Sequence, residues 1–237
     1  MANGIASSTV LKTLALRRQW LMVFMLVLLH LALVLGVDNP WSRGILVSHL
    51  GIFLLWQPLW RGDDAPTTGG IVLIGLASLS VLLWLNWWLL TFWLAGLFAL
   101  LGGKIFSFRA KWLRVFYLMG MLYLLAALLL LAAPQVFAPE ALSGQNRGLL
   151  AYALFILPAL MLLLPAEHEP PGAEQVVDFF YVLMLFMLAV VVALGSFVVM
   201  TLRHQDYMLS LLQTVLLLAS LLLALGWLWN PGFGFGG

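Results

Sequence analysis

Residues 69–103 read GGIVLIGLASLSVLLWLNWWLLTFWLAGLFALLGG, an apolar run with no charged side chain. As one helix this run would be about 52 Å long, against a hydrocarbon core of about 30 Å. Two short helices fit better, with a turn near Asn86-Trp87-Trp88. Asn serves a turn, and paired Trp residues suit a lipid–water interface. The count of membrane spans rests on this turn.

Similar runs recur on both sides. Candidate spans are roughly 20–37, 45–60, 70–85, 87–103, 112–133, 148–164, 176–200 and 207–229. The chain is 64% hydrophobic and 8% charged, more apolar surface than 237 residues can hide from water. The expected fold is all-α: a bundle of eight transmembrane helices, with seven spans as the runner-up. The expected domains are a basic cytoplasmic segment 1–19, a membrane domain 20–230 and a Gly-rich linker 231–237.

The basic residues orient the bundle. With the N-terminus in the cytoplasm, inner segments carry Lys12, Arg17, Arg18, Arg61, Lys104, Arg109, Lys111 and Arg114. Outer segments carry Arg43, Arg147 and Arg203. This distribution obeys the positive-inside rule, and reading 69–103 as one span would break it. An even count returns the C-terminus to the cytoplasm. Arg17-Arg18-Gln19-Trp20-Leu21 loosely resembles a twin-arginine export signal. The apolar run from Trp20 to Val37 is long enough to span, and no small-residue cleavage site follows it, so it reads as an uncleaved first helix.

Composition also limits chemistry. The chain has no Cys, which removes disulfides, thiolate metal sites and Cys nucleophiles. A net charge of +2, with basic residues scattered in short loops, does not suit nucleic-acid binding. There is no G-x-S-x-G, no H-E-x-x-H and no phosphate-cradling glycine loop. No catalytic residue, no metal site and no bound cofactor are expected.

Ionisable groups within the bilayer are costly and point to function. His30, two-thirds along the first span, and His49, early in the second, fall at similar depth nearer the outer face. A paired site for haem iron or a metal is one reading. Separate hydrogen bonds to neighbouring helices are the simpler one. Glu167-His168-Glu169 reads as a solvated acidic loop, and Asp63-Asp64 as a turn. Asp178, Tyr181, Gln213 and Thr214 read as inter-helix packing glue first and as signal-path residues second. Ala95, Ala99 and Gly103 form a small-residue ladder on the fourth helix, which suits a dimer seam or packing within the chain equally. Pro158 should kink the sixth span.

Several stretches resemble the membrane-embedded N-terminal region of a family of proteobacterial sensor histidine kinases. They are Leu101-Gly-Gly-Lys-Ile-Phe with Arg114-Val-Phe-Tyr-Leu; Val177-Asp-Phe-Phe-Tyr; Leu194-Gly-Ser; Asp206-Tyr; Leu212-Gln-Thr-Val; and Leu228-Trp-Asn-Pro. The resemblance covers the second half of the chain, and the first half only in hydropathy. It implies a bacterial inner-membrane sensory domain, homodimeric, passing a stimulus through its last helix to a cytoplasmic output module. No phospho-acceptor segment or ATP-binding glycine box is present, so no kinase activity is expected of this chain. Asp178, Tyr181, Asp206, Gln213 and Asn230 are the matching polar positions. Two other classes stay open. A transporter or channel would line its path with His30, His49, Gln57, Asp178 and Gln213. A haem-binding anchor would use His30 and His49.

Overall fold

The computed structural model describes residues 2–56, 68–105, 110–139, 144–165 and 179–229. These are mostly helical, with short turns among them at 36–39, 85–86 and 204–206. The helices are α1 (Ala2–Leu35), α2 (Pro40–Trp56), α3 (Thr68–Trp84), α4 (Trp87–Ile105) and α5 (Lys111–Ala127). A π-helical segment, Leu128–Ala132, continues α5 into the short α6 (Ala133–Phe137). There follow α7 (Gly144–Met161), α8 (Phe179–Arg203) and α9 (Tyr207–Trp229).

The decisive stretch does divide. The chain leaves the helix at Leu85 and Asn86, and Asn86 is more than a turn residue: its Oδ1 accepts the N–H of Leu89 at 2.8 Å. That bond satisfies one of the orphan donors at the start of α4. Other ends follow the same physics. Gly36, at φ +80°, takes the left-handed position after α1, a conformation without penalty only for glycine. Asn39 then accepts the Trp41 N–H at 3.0 Å, with Pro40 leading α2.

Three of the boundaries carry structural information. α1 runs unbroken from Ala2, so the basic segment before the span is helical and continuous with it; Arg18–Leu35 is the membrane-length portion. The fifth span extends past residue 133 to Phe137, because the helix passes through Pro134 in π register. α7 ends at Met161, one turn after Pro158, and then tightens: Leu162, Leu163 and Leu164 donate to carbonyls three residues back.

Four helical stretches are long and apolar enough to cross a membrane: Arg18–Leu35, Trp87–Ile105, Lys111–Phe137 and Val182–Arg203. Many of their large apolar side chains, such as Phe24, Phe92, Leu122 and Met187, face outward. An outward apolar surface on helices of this length defines a membrane-embedded protein.

The core forms where α1, α4, α5 and α7 meet. A Cβ on Gly120 of α5 would lie 2.5 Å from Met22 Cε and 3.0 Å from Leu101 Cδ2, so the absent side chain lets these helices close. Gly102 plays the same part against Leu185 of α8 and Met121 of α5. Ala95, Ala99 and Gly103 are buried among these packed helices, so the small-residue ladder serves contacts within the chain.

Contacts also give the relative directions of the helices. Gln19 meets Met161 and Leu164 while Arg147 meets Leu33, so α1 and α7 are antiparallel. Met25 meets His49 and Ala32 meets Ser42, so α1 and α2 are antiparallel. His49 meets Trp93 and Trp56 meets Lys104, so α2 and α4 are parallel. Likewise Met22 packs at Gly120 and His30 at Tyr123, so α1 and α5 are parallel. At the rim, α3 has no buried side chain among those described. Arg43 of α2 holds it by donating to Leu82 O at 3.2 Å.

Candidate functional site

Buried polar groups are the informative features of an apolar bundle, because each must find a partner inside it. His49 is fully buried between α1, α2 and α4. Its Nδ1 lies 2.9 Å from Met25 O, and its Nε2 lies 2.9 Å from Trp93 Nε1. A carbonyl oxygen only accepts and an indole N–H only donates. Nδ1 therefore carries the proton, Nε2 accepts, and the ring is neutral. One imidazole satisfies groups on two other helices.

His30 stands apart. Its Nδ1 is 3.1 Å from the Tyr123 hydroxyl of α5, and its ring lies 5.3 Å from that of Phe155 on α7. The two histidines thus have different partners on different helices. An iron or other metal taken by His49 Nε2 would have to displace Trp93. Among the described residues, no group of three or more His, Asp or Glu gathers to hold a metal. The arrangement is the separate inter-helix hydrogen bonding that was the simpler expectation.

The two ends of the bundle are clamped by other polar groups. Gln19 Nε2 donates to Leu164 O at 3.1 Å and to Met161 O at 3.4 Å, covering carbonyls at the end of α7. At the opposite end, Arg147 Nη2 donates to Leu33 O at 2.9 Å, and its guanidinium lies 5.0 Å over the Trp87 ring. That places a cation at the C-terminus of α1, where the helix dipole favours it. Lys104, in the last turn of α4, is buried with Nζ 4.2 Å over the ring of buried Trp56.

A further polar group joins α8, α9 and α5. His204, at φ 50°, takes the left-handed place after α8, and the Gln205 N–H reaches back to Met200 O at 3.4 Å. The Gln205 side chain donates to Gln213 Oε1 at 2.9 Å and Ser210 Oγ at 3.1 Å. Thr214 bonds back to Ser210 O, and its methyl sits where a Cβ of Gly195 would be 3.1 Å away. Tyr207, buried, donates its hydroxyl to Leu129 O in the π segment at 2.9 Å.

Of the signal-path residues read from sequence, Gln213 lies in this group. The backbone of Tyr181 lies in α8, and its side chain is outside the described residues. Asp178, Asn230, Gln57, Asp63-Asp64 and Glu167-His168-Glu169 also lie outside them. Trp93 and Tyr123 were not singled out, and Tyr207 and Arg147 were named only for a motif and for orientation. Their roles depend on partners far along the chain. Pro134 inside an apolar run was the one local signal for the π segment.

A cleft of about 150 Å³ opens between α2, α3 and α4, walled by Leu46, Leu50, Val81 and Leu85 with His49 and Trp93 behind. Its lining is almost wholly apolar, with His49 and Ser80 the exceptions. No family model, curated protein or solved structure matches the chain. Among the described residues the fold is all-helical and membrane-embedded, with buried polar groups such as His49, His30 and Tyr207 bridging helices.

Proposed function

We propose that the chain is a membrane-embedded sensory domain with eight crossings and both ends in the cytoplasm, resident in a bacterial inner membrane. Helix directions support the count. If each of the eight long helices crosses once, α1 must oppose α2 and α7 and run with α5, while α2 must run with α4. The contacts of Met25, Leu33, Gly120 and Trp93 have that parity. A single helix over 69–103 would set α2 and the following segment in opposition.

The observation that carries the sensory reading is the placement of α9. It packs along α8; Gln205 in the preceding turn bonds its first two turns, and the Tyr207 hydroxyl ties it to the π segment. Leu212, Leu216, Leu217 and Leu223 face outward. A last helix held at its outer end and lightly packed elsewhere can shift against the bundle. Such a shift signals only if the stimulus favours one of two arrangements. In this reading the domain works as a homodimer, and its output lies beyond the tail.

The test is a fusion of residues 1–237 to a dimeric kinase output, with one to four alanines inserted after Trp229. Each insertion rotates the output by about 100°. Transmission through α9 predicts output that varies with helical period. Constant output in correctly inserted fusions would refute it.

A further inference from the structure

The π segment sits where Pro134 enters the helix. The Ala133 N–H closes on Leu128 O, five residues back. The next bond in that register would join residue 134 to Leu129 O, but proline has no N–H to give. The Tyr207 hydroxyl fills that place from the first residue of α9, donating to Leu129 O at 2.9 Å. In an α register residue 134 would face Leu130 O instead. That carbonyl is displaced by about 100° around the axis and about 1.5 Å along it. The two registers therefore strand different acceptors, and Tyr207 meets the one stranded by the π form.

We propose that the Tyr207 hydroxyl is a register lock: it holds α5 in its π form and so ties the outer end of α9 to the twist of α5 and α6. The extra residue in the π turn sets the rotation of everything beyond it. Phe137, at the end of α6, stacks on Phe197 of α8 with ring centroids 5.1 Å apart and meets Trp88 of α4 edge-on at 5.5 Å. Conversion to an α register turns Phe137 out of this three-helix contact. The lock makes α5 a two-state element whose balance answers to α9. It is a property of the bundle and does not depend on the sensory reading.

The absence of cysteine allows a direct test in native membranes. The reporting pair is Phe137→Cys with Phe197→Cys. The reference pair is Phe92→Cys with Phe186→Cys, from stacked rings 6.4 Å apart on α4 and α8, neither of which changes register. Disulfide formation under mild oxidant is compared with and without Tyr207→Phe. The lock predicts that Tyr207→Phe slows the 137–197 cross-link by about tenfold, the scale of one buried hydrogen bond lost, and leaves 92–186 unchanged. An unchanged 137–197 rate would overturn it. So would equal slowing of both pairs, which would mean that the hydroxyl supports the bundle in general.

Discussion

Trp93 Nε1 lies 2.9 Å from His49 Nε2, and this bond leaves the histidine one free role, as donor to Met25 O. Three helices are thereby joined through one ring. In lipid, where apolar side chains gain little by facing one another rather than acyl tails, such a bridge matters for which helices pair.

Trp93→Phe should destabilise the protein by about 1 kcal/mol, the worth of one buried hydrogen bond, while His49→Ala should cost about 3 kcal/mol because it orphans Trp93 and opens a void. Unfolding in mixed detergent micelles measures both. Equal and negligible effects would contradict the bridge. Purified protein given haemin should also show no six-coordinate Soret spectrum.

Glycines with and without neighbours should respond in opposite ways. Nothing lies within 4 Å of a Cβ placed on Gly96, so Gly96→Ala should stabilise α4 by about 0.5–1 kcal/mol. Gly120→Leu should cost about 3 kcal/mol or prevent folding, because Met22, Leu101 and Met161 already fill its space. Gly120→Ala needs the Met22 thioether to swing away and Leu101 to give by a few tenths of an ångström, and should be milder. The same detergent unfolding assay ranks the three.

Arg147→Lys should be poorly tolerated although the charge is kept. The guanidinium both donates to Leu33 O and covers Trp87, and an ammonium cannot match that plane. A loss of about 1–2 kcal/mol is expected, with greater protease access at the 36–39 turn.

His204→Gly should stabilise by about 1 kcal/mol, because the left-handed backbone there penalises any Cβ. A lower melting temperature for this variant would mean that the His204 side chain makes a compensating contact.

Hydropathy made the eight long helices legible, since a run of apolar residues bounded by Gly, Pro or charge marks a helix; four of them hold stretches long and apolar enough to cross a membrane. The turn at Asn86 followed from the length of the run, the turn chemistry of Asn and the distribution of basic residues. Side-chain partnership was not legible. His49 and His30 were visible as rare ionisable groups, but Trp93 and Tyr123, which satisfy them, look like any interfacial aromatic. Tyr207 was hidden for the same reason: its partner Leu129 is a backbone carbonyl 78 residues earlier, exposed to it by a register change that Pro134 permits and does not dictate. Basic residues near Arg17 marked the start of the membrane-length portion, which begins at Arg18; that the helix itself starts at Ala2 was not legible, because a helix continues through an interface without breaking.

The central claim is an even number of crossings, and side-specific labelling tests it most directly. Single cysteines replace Ser8, Trp84 and Gly236 in turn, and intact cells or right-side-out vesicles are treated with a membrane-impermeant maleimide. The account predicts labelling at position 84 and protection at 8 and 236 until the membrane is opened. Labelling of one terminus while the other stays protected would contradict it.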